Sequence, residues 1–274
     1  MMRKKPTIAD LRSLKGRSQR TMLRVTTLEE AAAAEEAGID IVSVTPELVT
    51  HRDYRTVAPT LFSMTGLTHL EAGTREDYLR WAGNVINAGA DAIYCSGSMA
   101  TVEYLAREHI PVVGHVGLVP SRATWTGGFR AVGKTSEQAL AMLKECRAYQ
   151  HAGAFAVEIE VVPVEVATAI SARLDLLLWS MGAGAGCDAQ YLFACDILGT
   201  HEDHLPRHSK VYRNFSAEFA RLQAERVAAF REFKTDVEAG HYPEERHMVR
   251  MSEDELRAFE AELEPAAGFS VSKA

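Results

Sequence analysis

The sequence contains few cysteines and no long apolar run. Its 274 residues include only four cysteines, Cys95, Cys146, Cys187 and Cys195. Their spacing matches neither a paired CxxC zinc motif nor the framework of a disulfide-rich secreted domain. No stretch approaches the roughly 18 consecutive apolar residues of a membrane-spanning helix, and the basic N-terminal segment lacks the apolar run of a signal peptide. We therefore expect a cytoplasmic protein with reduced, buried thiols and no membrane partner.

The sequence also lacks a basic stripe. The 30 lysines and arginines are scattered among 37 acidic residues, and the formal net charge is -7. Nucleic-acid-binding domains concentrate their cations on one face or one segment. The charge pattern therefore argues against a nucleic-acid partner and favours a small-molecule substrate.

What the sequence does have is a regular alternation of β-branched runs and amphipathic helical stretches, which is typical of a parallel sheet covered by helices. Eight runs are predicted to be strands: 21–27, 39–45, 59–66, 91–97, 110–117, 154–162, 176–184 and 191–199. The intervening helices are predicted at 28–38, 75–89, 98–109, 136–153 and 163–175. Eight strands with this rhythm favour an α/β fold of the (β/α)8 barrel type over an open doubly wound sheet.

Helix start and stop signals agree with this pattern. Thr74 and Ser136 precede acidic residues and are predicted to begin helices, while helix-ending glycines are predicted at Gly38, Gly89 and Gly153. After residue 200 the chain becomes polar and irregular and then helical again. We expect residues 1–274 to form a single barrel domain with a C-terminal helical extension over about 215–265.

Two glutamates interrupt the sixth apolar strand. In the segment EIEVVP, the two-residue period of a strand puts Glu158 and Glu160 on the same face. Burial in a barrel disfavours the charged form of a carboxyl group, which suits proton transfer. Glu160, near the strand end where barrel enzymes place their chemistry, is predicted to be functional, and Glu158 to be deeper and structural. The alternative is a buried acid that pairs with an arginine.

The fifth strand and the loop after it carry further candidates. His115, in VVGHVG, is placed to hydrogen bond to a substrate carbonyl or carboxylate, although a core histidine is the alternative. The next loop combines glycines with three cations, Arg122, Arg130 and Lys134. Such a loop fits either a mobile cover over an anionic substrate or an ordinary solvated loop.

Several segments, in consistent order from about residue 7 to 243, resemble the ketopantoate hydroxymethyltransferase family: IPVVGHVGLVP, GGFRAVGKTSEQAL, GAFAVEIEVVPVEVA and GAGAGCDAQ are examples. The resemblance implies a (β/α)8 TIM barrel of the phosphoenolpyruvate mutase/isocitrate lyase superfamily type. It also implies a homo-oligomer, typically a decamer, with a C-terminal helix used between subunits. The implied enzyme binds a 2-oxo acid on Mg2+, removes a proton from C3 and adds a hydroxymethyl group derived from methylenetetrahydrofolate. By motif, Glu160 matches the family's catalytic base and His115 its strand-end histidine.

The chain departs from the family at the metal-binding motifs. Where the family has GDS, this sequence has Thr45, Pro46 and Glu47. Where the family has the aspartate of ADLPF, this sequence has Met64 or a neighbour. Both aspartate ligands implied by the resemblance are therefore replaced, and we predict no metal ligands at these positions. Glu47 is the alternative source of a carboxylate ligand.

A third departure falls in YCSGS, where Tyr94 and Ser96 replace the lysine and the acidic residue of the family's KLEGG. We predict that Glu160 and His115 are catalytic and that the substrate is contacted by Tyr94, Ser96, Thr45 and Glu47.

These observations predict a divergent hydroxymethyltransferase-like enzyme with altered or lost Mg2+ dependence. It would act on a small 2-oxo acid or related carbonyl compound and make or break a carbon-carbon bond through an enolate. One alternative is a hydrolase or lyase in which Glu160 activates water. The other is a catalytically silent paralogue that binds a metabolite.

Overall fold

The computed structural model describes residues 3–67, 71–201 and 205–263. The chain divides into two compact units, Met1–Ser216 and Ala217–Ala274. Across the described ranges, no helix is both long enough and apolar enough to cross a membrane. The expectation of one barrel domain with a C-terminal extension stays a prediction.

The first unit is built on a closed barrel of eight parallel strands, each paired with the next and the last with the first. The strands are β1 (Arg20–Arg24), β2 (Ile41–Val44), β3 (Phe62–Gly66), β4 (Ala92–Tyr94), β5 (Val112–Gly117), β6 (Ala156–Glu160), β7 (Leu177–Met181) and β8 (Ala189–Phe193). The predicted (β/α)8 barrel is therefore confirmed.

Helices connect and cover these strands. Those that begin in the first unit are α1 (Ile8–Ser13), α2 (Leu28–Glu36), α3 (Pro46–Val49), α4 (Tyr54–Val57), α5 (Arg75–Ala88), α6 (Met99–Arg107), α7 (Ala123–Thr126), α8 (Ser136–His151), α9 (Val164–Ser171), α10 (Ala194–Leu198) and α11 (Phe215–Ala239). Most of α11 lies in the second unit, which also contains α12 (Glu253–Glu262). Short 3-10 turns are formed by Pro120–Arg122 and Glu245–His247.

The helix boundaries follow from local capping. Thr74 begins α5, because its hydroxyl accepts a hydrogen bond from the Asp77 backbone N–H and the Asp77 carboxylate accepts one from the Thr74 N–H. At α8 the cap is Thr135, whose hydroxyl accepts from the Gln138 N–H at 3.2 Å. The prediction of Ser136 as the cap was wrong by one residue, since Ser136 is already helical.

The predicted eighth strand, 191–199, was wrong in its second half. The strand ends at Phe193, which pairs with Arg24, the last residue of β1. Beyond Phe193 no further residue of β1 is available for pairing, and the apolar run continues as the helix α10. Gly199 ends this helix in the left-handed conformation with φ of 61°, where a Cβ would lie 2.5 Å from the Arg213 carbonyl oxygen.

The core has two layers, one between the sheet and the helices and one inside the barrel. The inner layer contains Met22, Ile41, Phe62, Met64, Ala92, Val113, Phe155, Ala156, Leu177, Trp179, Met181, Ala189 and Tyr191. Its rings meet edge to face, as in the Phe155–Trp179 pair with centroids 5.8 Å apart. These side chains fill the barrel as a packed core, so a ligand has room only near the carboxyl ends of the strands.

Candidate active site

A cavity of about 460 Å³ lies at the carboxyl ends of the strands, and we call it the main cavity. Polar side chains from several strands line it: Arg24, Ser43, Tyr94, His115, Glu158, Glu160 and Tyr191. Phe193 and Met181 contribute apolar wall. A pocket with a few convergent polar groups at this end of a barrel is the expected place for chemistry.

His115 is the centre of the polar cluster and is only 3% exposed. Its Nδ1 atom lies 2.8 Å from the Tyr94 hydroxyl and forms a hydrogen bond with it. Its Nε2 atom lies 3.1 Å from a carboxylate oxygen of Glu160, without an aligned hydrogen bond to any described residue. Glu158 is more distant, with an oxygen 3.8 Å from Nδ1. The imidazole is therefore held between a phenol and two carboxyl groups.

Strand register produces this arrangement. Parallel pairing places His115 opposite Glu158 and Gly117 opposite Glu160, and the two-residue period turns both glutamates inward. Gly117 has φ of 90°, and a Cβ there would lie only 2.3 Å from the backbone oxygen of Glu160. A glycine is therefore required where β5 approaches the end of β6.

The backbone is strained directly after Glu160. Val161 has a positive φ of 49°, which is an outlier for a β-branched residue. Its N–H donates to the Met181 carbonyl at 2.8 Å, and its carbonyl accepts from the Val132 N–H at 3.1 Å. Strain that is held by such hydrogen bonds is frequent at functional sites.

Burial changes the proton affinity of two groups in this cluster. It raises the pKa of Glu158 to about 7, while the nearby His115 opposes the shift and Glu160 adds to it. Burial also raises the pKa of Tyr94, and the adjacent Glu158 charge raises it further. Tyr94 is thus a neutral phenol at physiological pH, and Glu158 exchanges its proton near neutrality.

Arg24 was not among the predicted site residues. Its Nη1 atom donates a hydrogen bond to the Ser43 hydroxyl at 3.2 Å, and its guanidinium carbon lies 5.9 Å from the centre of the Phe193 ring. Within the described residues, no carboxylate lies within ion-pair distance of it, and it is the one arginine or lysine that lines the main cavity. The available signal was a charged residue at the end of the apolar run TMLR.

The structure brings together some predicted site residues and separates others. Glu160, His115 and Tyr94 line the main cavity. Ser96 follows β4 and is close enough to the Tyr94 hydroxyl to lower its pKa by hydrogen bonding. Thr45 caps α3 by accepting from the Leu48 N–H at 3.2 Å, and Glu47 is exposed in the first turn of that helix. Neither Ser96, Thr45 nor Glu47 lines the main cavity, and their substrate contacts stay predictions.

A second cavity of about 440 Å³ adjoins the main one, and we call it the side cavity. Arg130 and Lys134, from the glycine-containing loop, line it together with Arg207. Arg122 instead pairs with Glu145 at 2.7 Å. The residues that line both cavities are Phe129, Glu160, Pro206 and His208. Glu160 is therefore accessible to molecules in either cavity.

Asp196 forms a separate polar cluster at the edge of the main cavity. Its carboxylate accepts a hydrogen bond from the Ser209 hydroxyl at 2.5 Å and lies 3.0 Å from the His201 Nε2 atom. Among the residues that the structure describes, the one group of three side chains with metal-ligand spacing is Cys195, Asp196 and His201. Thiol and imidazole donors suit Zn2+ better than Mg2+, and the carboxylate is already hydrogen bonded to Ser209, His201 and Cys195.

The residues at the implied Mg2+ positions do not fit that ion. Mg2+ prefers oxygen ligands in octahedral geometry. Pro46 has no side-chain donor, and it forms the first turn of α3. Met64 is 1% exposed and its thioether side chain lies in the barrel core. In the main cavity, a carboxylate oxygen of Glu160 lies 3.1 Å from the Nε2 atom of His115.

Comparisons with known proteins point to one enzyme family. The family model described as ketopantoate hydroxymethyltransferase matches residues 47–245. A protein of Nitratidesulfovibrio vulgaris named 3-methyl-2-oxobutanoate hydroxymethyltransferase is 31% identical over 94% of this chain and 90% of its own. A protein of the same name from Chloroflexus aurantiacus is 33% identical over 92% and 95%.

A solved structure of 2,3-dimethylmalate lyase, described as a phosphoenolpyruvate mutase/isocitrate lyase superfamily member, is 15% identical. It covers 93% of this chain and 98% of its own, with a TM-score of 0.49. The relatives are named as transferases, so the prediction of a hydroxymethyltransferase-like enzyme is confirmed. The chain belongs to the ketopantoate hydroxymethyltransferase family.

Proposed function

We propose that this protein catalyses a hydroxymethyltransferase-type reaction on a small 2-oxo acid, with Glu160 as the base and without dependence on Mg2+. The observation that carries the proposal is the buried His115, which lies between the Tyr94 hydroxyl at 2.8 Å and the Glu160 carboxylate at 3.1 Å. The relatives that are named 3-methyl-2-oxobutanoate hydroxymethyltransferase make that 2-oxo acid the first substrate to test.

The proposal assigns one tautomer to His115. Burial raises the pKa of Tyr94, so its hydroxyl keeps its proton, and the proposal has this hydroxyl donate to Nδ1 of His115. In this tautomer the imidazole carries a proton on Nε2, on the side of Glu160 and of the cavity. That proton is available to the carboxylate of Glu160 in the resting site, or to an oxygen that gains charge during the reaction.

In the proposed first step, the carboxylate of Glu160 removes the proton from C3 of the 2-oxo acid. The electrons of the C3–H bond form the C2=C3 double bond, and the carbonyl electrons move to the oxygen to give an enolate. Hydrogen-bond donors of the barrel stabilise this oxygen. The enolate C3 would then bond to the methylene carbon that the family's donor supplies. The two C–N bonds of that carbon are replaced by this new C–C bond and by a C–O bond to water. The two released nitrogens of the donor take up the proton removed from C3 and one proton of the water, so that the products are the hydroxymethylated 2-oxo acid and tetrahydrofolate.

The side cavity suits the second reactant. It meets the main cavity at Glu160, and its cations, Arg130, Lys134 and Arg207, favour an anionic molecule. The family implies methylenetetrahydrofolate as the one-carbon donor, and its carboxylates are anions of the required kind. In this proposal the three cations bind the donor, while the main cavity binds the 2-oxo acid.

The test is proton exchange, because it requires only the first step. Purified protein and 3-methyl-2-oxobutanoate are mixed in D2O, and loss of the C3 proton signal is followed by NMR, once with EDTA and once with added Mg2+. The variants are Glu160→Gln and, as a matched control, Glu165→Gln in the first turn of α9. We expect exchange in EDTA with wild type and with the control, and at least about 100-fold slower exchange with Glu160→Gln.

Other outcomes distinguish the alternatives. Exchange that requires Mg2+ would contradict the metal-free part of the proposal and indicate a rebuilt metal site. Absence of exchange under both conditions would exclude this 2-oxo acid as the substrate and favour a hydrolase, a lyase or a silent metabolite-binding protein.

We also propose a cytoplasmic homo-oligomer. Helix α11 exposes large apolar side chains to solvent, among them Phe230 at 72% and Phe233 at 57%. In the first unit, a separate and mostly apolar groove of about 460 Å³ lies between β1, β8, α2 and α10. Exposed apolar surfaces, on either unit, support association between subunits.

A further inference from the structure

We infer that Arg24 and Ser43 form a carboxylate-binding subsite, which holds the 2-oxo acid by its anionic end in place of a metal ion. This inference rests on the proposed function in taking a small 2-oxo acid as the ligand of the main cavity.

The first argument is the unbalanced charge of Arg24. Its guanidinium is directed into a cavity, is held by the Ser43 hydroxyl at 3.2 Å and lies over the Phe193 ring at 5.9 Å. Among the described residues none supplies a carboxylate within ion-pair distance. A guanidinium presents several N–H donors in a planar fork, and its preferred partner is a carboxylate that accepts two of them.

The second argument is position. Arg24 ends β1 and Ser43 lies on β2, whereas His115 and Glu160 belong to β5 and β6. In a closed barrel of eight strands, β1 is opposite β5. A small acid whose carboxylate binds Arg24 therefore extends across the cavity toward His115 on β5 and Glu160 on the neighbouring β6. Burial raises the pKa of Glu158, and the charges of His115 and Arg24 both oppose this rise, so the carboxyl group of Glu158 interacts with groups on both sides of the cavity.

The third argument is the contrast with the rest of the cavity wall. Tyr191 is buried and Tyr94 is half-buried, and burial raises the pKa of both, so they are neutral. The other ionisable side chains that line the cavity, besides histidines, are the acids Glu158, Glu160 and Asp196, and a carboxyl group does not attract an anion in either protonation state. An anionic ligand is therefore expected to place its charge at Arg24 and its uncharged end near the acids.

The test measures binding and does not depend on turnover. Isothermal titration calorimetry in EDTA compares 3-methyl-2-oxobutanoate with 3-methyl-2-butanone, the neutral ketone that lacks the carboxylate. The variants are Arg24→Met, Arg24→Lys and Ser43→Ala, with Arg52→Met as control, because the Arg52 side chain is 90% exposed. Circular dichroism and thermal unfolding establish that each variant is folded.

We expect wild type and Arg52→Met to bind the acid equally in EDTA. Arg24→Met should weaken binding of the acid by about 10- to 100-fold, as expected for loss of charge-assisted hydrogen bonds, and should leave binding of the ketone unchanged. Arg24→Lys should recover part of the loss, because it keeps the charge without the fork, and Ser43→Ala should weaken binding by a smaller factor.

Equal binding of the acid to wild type and Arg24→Met overturns the subsite, as does binding by wild type only when Mg2+ is added, or no binding at all. If Arg24→Met is unfolded, Arg24→Lys and Ser43→Ala decide the question, since both keep most of the packing. If the acid binds as expected but its C3 proton does not exchange, the subsite stands and the proposed reaction fails.

Discussion

Glu158 should make the barrel less stable as the pH rises through neutrality. Its pKa is raised from 4.5 to about 7 in the folded protein because burial disfavours the charge. Between these values the folded state holds a proton that the unfolded chain has released. Stability from this group is therefore present at low pH and is lost as the pH rises from about 5 to 8.

The magnitude follows from the size of the shift. One pKa unit corresponds to about 1.4 kcal/mol, so the full shift costs about 3 kcal/mol, most of it between pH 5 and 8. Glu158→Gln keeps the shape of the side chain and removes the titration. We expect the free energy of unfolding of this variant minus that of wild type to be about 2–3 kcal/mol larger at pH 8 than at pH 5, so that the variant gains relative stability as the pH rises.

The assay is urea unfolding at both pH values, followed by tryptophan fluorescence. All three tryptophans lie in the first unit, and Trp179 is 1% exposed and pairs in register with Glu158. The comparison with wild type cancels the contribution of groups remote from this site. The exposed Glu36 provides the control Glu36→Gln, for which we expect a difference below about 0.5 kcal/mol. A relative stability of Glu158→Gln that is the same at both pH values would refute the reasoning.

Three further predictions concern the site and the assembly. Gly117→Ala should lower the free energy of unfolding by about 2–4 kcal/mol in urea melts, because its Cβ would lie 2.3 Å from the backbone oxygen of Glu160. The control is Gly128→Ala, which is also at positive φ but has open space around it and should cost only about 1 kcal/mol. Equal costs of the two substitutions would contradict this view. Tyr94→Phe removes the hydrogen bond to Nδ1 of His115 and should slow C3 proton exchange by about 10-fold or more; an unchanged rate would exclude a role for the phenol. Phe230→Ser should reduce the mass measured by light scattering if α11 joins subunits, whereas an unchanged oligomer would exclude Phe230 from the interface.

The sequence was sufficient to predict the architecture because that information is local. The eight strands were all found, although their ends were displaced by a few residues, since apolar runs extend beyond the pairing of the sheet. The sequence was also sufficient to predict that Glu158 and Glu160 share one face of their strand, because this depends only on the two-residue period of a strand. The eighth strand was too long because its end is set by β1, which lies far away in the sequence.

The site could be predicted only where its residues follow a local pattern or match a family motif. Arg24 has neither advantage. A charged residue at the end of an apolar run also fits a solvated loop, and only the pairing of β1 with β8 and β2 turns this side chain toward the cavity. Thr45 is the converse case, because its position after β2 predicts a substrate contact while the local sequence also fits a helix cap. In the structure its hydroxyl caps α3, and the substrate contact stays a prediction.

The replacements at the family motifs support metal independence most strongly when their charges are considered together. Two aspartates and a divalent cation form a neutral group, and Pro46 and Met64 without a cation are neutral as well. The new acid of the first motif, Glu47, is exposed and does not line the main cavity. The charges of a lysine and an acidic residue likewise cancel, and their replacements, Tyr94 and Ser96, carry no charge. If the aspartates were lost and the divalent cation stayed, the buried site would carry excess positive charge, which is costly in free energy. The charge that a 2-oxo acid brings then requires a new partner, and Arg24 is the residue in the main cavity that meets this requirement.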